Sequence, residues 1–126
     1  MIESSNELRS QVERAEEFRD LHHGKRVLIL PNGWDVPSAR VFEEEGFPAV
    51  ATSSAGMLVS LGYPDGETSG VDEFVSAVGR IAGVLRVPLS ADVVGGFGAT
   101  PGEVAATVKK VIGVGAVGIN IEDFAL

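Results

Sequence analysis

The chain has 126 residues, no cysteine and a net charge of −8, and 44% of its residues are hydrophobic; that suits one domain with its own core rather than a disordered segment. Without cysteine there is no disulfide scaffold, iron–sulfur site, Cys-ligated zinc or thiol nucleophile, which suits a reducing cytosol. The acidic balance speaks against a nucleic-acid partner, no apolar run reaches the ~18 residues of a membrane span, and Met1 to Glu17 is too polar for a secretory signal, so a soluble cytoplasmic protein is expected.

Residues 5–23 read as a helix, because Leu8, Val12, Ala15 and Phe18 to Leu21 recur at three- to four-residue spacing among Glu and Arg. Gly24 closes it. His22 and His23 in its last turn read as a solvated cap that complements the helix dipole, since a metal pair prefers i,i+4 spacing on one face. Val27-Leu28-Ile29-Leu30 is a continuous apolar run, the mark of a strand buried on both faces in a parallel sheet. Pro31-Asn32-Gly33 breaks the run, Val36 to Glu45 is helical again, and Ala49-Val50-Ala51-Thr52 is a second buried strand. A polar loop through Gly62-Tyr63-Pro64-Asp65-Gly66 precedes a helix over Val71 to Leu85, with Phe74, Val75, Val78 and Ile81 on one face. Val87 to Ala91 is the third strand. Thr100-Pro101-Gly102-Glu103 starts a helix that runs to about Ile112, Thr capping and Pro filling the first position. Gly113 to Gly115 then lead into a fourth strand over Val117-Gly118-Ile119-Asn120-Ile121. Helices between successive strands imply a parallel sheet with right-handed crossovers.

Gly113-Val114-Gly115-Ala116-Val117-Gly118 spells G-x-G-x-x-G, but it follows a helix and enters a strand. A dinucleotide fingerprint needs the reverse order, so the glycines read as a tight turn. The polar groups of interest all fall at carboxyl ends of strands, where parallel α/β folds bind ligands. Asn32, Trp34 and Asp35 follow the first strand, Ser53 and Ser54 the second, with Asp65 on the loop beyond. Asp92 ends the third strand before a Gly95-Gly96-Phe97-Gly98 loop, and Glu122-Asp123 end the fourth. Separated acids on one rim can hold a hard divalent cation, of which magnesium needs only one or two direct carboxylates. The plainer readings are that Asp35 caps the next helix, Trp34 packs under its loop, and Glu43-Glu44-Glu45 is a solvated surface.

Leu30-Pro31-Asn32-Gly33-Trp34-Asp35 with Ser38-Ala39-Arg40 resembles the opening of the isocitrate lyase/phosphoenolpyruvate mutase superfamily. So do Ala51-Thr52-Ser53-Ser54-Ala55-Gly56, Leu61-Gly62-Tyr63-Pro64-Asp65-Gly66, Ala91-Asp92 through Gly96-Phe97-Gly98, and Gly118-Ile119-Asn120-Ile121-Glu122-Asp123. The resemblance covers residues 18–123 and is strongest to phosphonomutase-like proteins. It implies the N-terminal half of a TIM (β/α)₈ barrel: a helix over 1–24 packed on the barrel, and a barrel domain over 25–126 that ends at strand four. It also implies Mg²⁺, with Mn²⁺ as the alternative, and a small 2-oxo or 2-hydroxy carboxylate whose C–C or P–C bond is made or broken through an enolate. Carried over by position, Asp92 is the direct metal ligand, Asp65 and Glu122 hold metal-bound waters, and the backbone around Ser53, Ser54 and Ala55 cradles the carboxylate; no catalytic acid or base is assigned.

Two departures bear on activity. Val94 stands where the family pattern has a second acid, and a full barrel takes ~250 residues. The family's gating loop and later Arg and His positions have no counterpart here. A Mg²⁺-dependent lyase or mutase that is weak or inactive as an isolated chain is therefore expected. The alternative is a non-catalytic metal- or carboxylate-binding or protein-interaction module. Unpaired edges at strands one and four call for a homo-oligomer or another polypeptide to complete the ring.

Overall fold

In the computed structural model, which describes residues 10–123, Ser10 caps the first helix. Its side chain accepts from the Glu13 amide, and the Glu13 carboxylate accepts from the Ser10 amide at 2.7 Å, a capping box. The helix, α1, is Gln11–His22; the part of the expected helix before residue 10 lies outside the described residues. Its apolar stripe is only half covered, and Val12 remains 67% exposed. Polar bonds do much of the holding. Gln11 Nε2 donates to the Ile112 and Ala116 carbonyls at 2.7 and 3.1 Å, and Arg14 Nη1 donates to the Leu85 carbonyl at 3.2 Å. These carbonyls precede strands, so α1 docks at the amino ends of the sheet. Gly118 admits it, since a Cβ there would overlap the Phe18 ring.

Four parallel strands follow, β1 (Asn32–Gly33), β2 (Val50–Thr52), β3 (Leu89–Asp92) and β4 (Gly118–Asn120), in the order β1-β2-β3-β4. Helices α2 (Val36–Glu44), α3 (Ser54–Ser60), α4 (Val71–Ala82) and α5 (Pro101–Gly113) lie between them. The consecutive order is that of a barrel wall. A flavodoxin-like sheet places its first strand inside. Among the described residues β1 pairs only with β2 and β4 only with β3.

The expected first strand is displaced. The run 27–30 joins no ladder, and Val27 and Ile29 are 89% and 65% exposed rather than buried on both faces. Asn32 pairs with Ala51 and Gly33 with Thr52, so residues 27–30 would have to face residues 46–49. There the chain turns through Gly46 (φ 91°) and Pro48, which has no N–H to give, and the ladder stops. The short α3 was not expected either; it occupies Ser54–Ser60, between the second strand and the polar loop.

One layer of helices covers one face of the sheet. Phe74, Val78 and Ile81 of α4 pack with Met57 and Leu58 of α3, Leu85, Leu89 and Val111 in a single core. Glu43 corrects the solvated-surface reading of 43–45: its Oε1 accepts from the amides of Arg86 and Val87 at 2.6 and 3.0 Å, tying α2 to the lead-in of β3. Glu44 keeps the exposed role, paired with Arg40 at 3.3 Å. At α5 the Thr100 cap is reciprocated by Glu103, whose Oε2 accepts from the Ala99 and Thr100 amides at 2.7 and 2.9 Å.

Phe74→Ala, at a fully buried site, is expected to cost about 3–5 kcal/mol in urea unfolding, whereas Val27→Ser, at 89% exposure, should stay within about 0.5 kcal/mol. The Ala99 and Thr100 amides, with the Thr100 hydroxyl, lower the Glu103 carboxyl below its ordinary 4.5. A lowered folded value means the stabilisation is complete above the unfolded value and is lost as pH falls through the folded one. Glu103→Gln should therefore flatten the acid limb of the stability curve below about pH 4.5, measured by thermal unfolding against pH.

Candidate metal and carboxylate site

Asp92, the last residue of β3, is held from three directions. Its amide donates to Thr52 Oγ1 at 2.9 Å, its Oδ1 accepts from the Val94 amide at 3.0 Å, and its Oδ2 accepts from the Ser54 hydroxyl at 2.8 Å. Thr52 and Ser54 are buried and Asp92 is half-buried. The Asp92–Val94 bond is an Asx-type turn, in which a short acid accepts from the amide two residues on. It throws Val94 into the left-handed region at φ 55°, with its side chain buried. A β-branched residue there costs about 1–3 kcal/mol and persists only where the surroundings dictate it. Here the Val94 carbonyl accepts from the Glu122 amide at 2.7 Å, so one residue bridges the ends of β3 and β4. Phe97 is also left-handed, at φ 56°, and its ring packs on Phe74 at 4.8 Å between centroids.

Beyond the strand ends lies a cleft of about 950 Å³. Asp65, Glu67, Glu122 and Asp123 line it together with Gly95 and Phe97, and among the described residues no Lys, Arg or His does. Two of the expected metal-site acids, Asp65 and Glu122, thus meet at one cleft. Asp92 is not among its lining residues. Glu67 escaped the sequence reading, although its position two residues after Asp65 in a polar loop was a usable signal. Among the described residues no three His, Cys, Asp or Glu stand close enough to hold a metal by themselves. The donor chemistry still suits a hard cation in its sparse form, one direct carboxylate with the other acids acting through water. A larger groove of about 1050 Å³, between α1 and residues 24–29, lies at the amino ends of the strands, away from these acids.

The expected carboxylate cradle is the first turn of α3. Ser53 is its cap, accepting from the Gly56 amide at 3.1 Å, and the Met57 amide bonds to the Ser53 carbonyl. The amides of Ser54 and Ala55 belong to the orphan donors that every helix start leaves. Asp35 is a cap, as expected, with its carboxylate accepting from the Ser38 amide at 2.8 Å. Trp34 packs against α3, where Gly56 makes room: a Cβ on Gly56 would lie 2.8 Å from Trp34 Cβ. His22 bonds through Nδ1 to the Phe18 carbonyl within its own helix.

A wall of consecutive parallel βα units with acids gathered beyond its carboxyl ends is the arrangement of barrel-type α/β enzymes. Residues 18–125 match the family model of phosphoenolpyruvate phosphomutase. The chain therefore belongs to the phosphoenolpyruvate mutase/isocitrate lyase family. It is 38% identical over 106 residues to an uncharacterised protein of Mycobacterium tuberculosis, a match covering 84% of this chain and 40% of that protein. With the 2-methylisocitrate lyase of Escherichia coli K12 it shares 38% identity over 86 residues, or 68% of this chain and 29% of the lyase. The crystal structure of a candidate lyase/mutase from Burkholderia cenocepacia J2315 superposes with a TM-score of 0.83 at 41% identity, covering 90% of this chain and 40% of that one. The chain thus spans about 40% or less of the length of these relatives.

At the edge of the site region the Tyr63 hydroxyl donates to Glu73 Oε2 at 2.5 Å. That bond and the Glu73 charge raise the phenol above its ordinary 10.0. Tyr63 is the single tyrosine, so tyrosinate absorbance in an alkaline titration reads it directly. The midpoint is expected above 10.0 in the native chain and closer to 10.0 in Glu73→Gln.

Proposed function

We propose that these residues form the metal- and carboxylate-binding part of a Mg²⁺-dependent lyase or mutase acting on a small 2-oxo or 2-hydroxy carboxylate. The observation that carries the reading is that Asp65 and Glu122, 57 positions apart in sequence, line one acidic cleft at the carboxyl rim of a family-typical sheet. Asp92 would be the direct ligand, with Asp65 and Glu122 acting on metal-bound water. A bound Mg²⁺, or Mn²⁺ in its place, supplies positive charge for the oxyanion that develops as a C–C or P–C bond breaks. The Ser54 and Ala55 amides, with the Ser53 cap beside them, orient the substrate carboxylate at the start of α3.

The remaining length of the relatives has no counterpart in these 126 residues. Turnover is therefore proposed to need the outer edges of β1 and β4, which pair with no further strand among the described residues, to be covered by further strands. A second reading, a binding module without catalysis, is favoured by one observation: Val94 is buried and apolar where the family pattern carries an acid.

Isothermal titration of the native chain with Mg²⁺ tests the proposal. Asp92→Ala is expected to abolish binding, while Asp65→Ala or Glu122→Ala should weaken it by about tenfold, as loss of outer-shell partners does. Undiminished affinity in Asp92→Ala overturns the metal assignment.

A further inference from the structure

Of the residues expected to cradle a carboxylate, Ser53 uses its hydroxyl oxygen to accept from the Gly56 amide, whereas Ser54 gives its hydroxyl proton to another side chain. Ser54 is the first residue of α3, its exposure is 6%, and its hydroxyl donates to Asp92 Oδ2 at 2.8 Å. A hydroxyl has one proton to give. With that proton on Asp92, the Ser54 side chain presents only lone pairs to anything else, which is the wrong polarity for a carboxylate anion.

What the bond does is best read from Asp92. An Asp at a strand end is free to sample several χ1 rotamers, and each change swings the carboxylate across the rim. Here Oδ1 is engaged by the Val94 amide, from Asp92's own loop, and Oδ2 by Ser54, 38 residues earlier on a different element. Two donors on two oxygens from two elements leave a single orientation. They use two of the roughly four lone-pair sites that a carboxylate offers, so acceptor capacity remains for a cation. The backbone is pinned as well, by the Asp92 amide on Thr52 Oγ1. Thr52 and Ser54, both buried, stand two residues apart at the junction of β2 and α3. That junction therefore fixes both the main chain and the side chain of Asp92.

We propose that the Ser54 side chain is a positioning group for Asp92, holding its carboxylate in the one rotamer that presents it to a divalent cation, while only the Ser54 amide faces the substrate. The inference rests on the metal reading given above and assigns Ser54 a part in it. Orienting groups behind a metal ligand are worth about 10–100-fold in metal affinity.

The test compares the native chain with Ser54→Ala, and with Ser54→Gly should the alanine variant fold poorly. Three-bond NMR couplings report Asp92 χ1 in the metal-free protein, and electron paramagnetic resonance reports Mn²⁺ binding. A single Asp92 rotamer in the native chain, averaging in the variant, and Mn²⁺ binding weakened by about 10–100-fold are expected. A single rotamer kept in the variant overturns the proposal, and so does averaging with unchanged Mn²⁺ affinity. If the native chain binds no Mn²⁺, the metal reading itself falls and takes the metal-directed role of Ser54 with it. The coupling data would then still show whether Ser54 holds Asp92.

Discussion

The ladder that joins β1 to β4 is the constraint on which everything else rests. Its strands run two to four residues and are laid down in sequence order without a swap. Because all four run the same way, every strand-to-helix junction opens on one rim and every helix-to-strand turn on the other. The register places Asn32, Ala51, Ser90 and Gly118 in one row across the sheet. Registered partners share a face, and three of these four side chains are among the smallest available. Phe18 of α1 reaches this row at Gly118. Small side chains on the sheet and a large one on the helix are thus two halves of one packing solution.

The division of labour between the rims follows. At the amino rim, backbone carbonyls of Leu85, Ile112 and Ala116 are satisfied by α1 side chains, which is a structural use of polar groups. At the carboxyl rim, polar side chains satisfy one another around Asp92, and a further set of acids is left facing a cleft. The bridge through Val94 links these two groups of acids. Its left-handed backbone, like that of Phe97, is a place where local preference gives way to the needs of the rim, since a valine gains nothing from that conformation.

Much of this was legible in the sequence. Alternating apolar runs and helical stretches gave the parallel sheet, the family resemblance gave its barrel order, and the cap signals at Asp35 and Thr100 mark real helix starts. The rim acids were legible because parallel sheets put loop chemistry at strand ends. Other features were not. The run 27–30 has the hydrophobicity of a strand but lacks a partner, and pairing depends on what stands opposite in space. Glu43 reads as part of a charged tip, yet serves amides 43 and 44 residues away. Ser54 reads as part of a helix-start cradle, and only the fold shows its hydroxyl turned back on Asp92.

The docking of α1 has a consequence for how the chain comes together. Its bonds to Ile112 and Ala116 span 101 and 105 residues, close to the full described length. Loops of that size close slowly relative to local contacts, and their ends must already exist as structure before closure is rewarded. The Ile112 and Ala116 carbonyls take their places only when α5 has formed and β4 has paired with β3, whereas the Leu85 carbonyl needs only the lead-in of β3. Full seating of α1, near one end of the described residues, is thus tied to the pairing of β4 near the other.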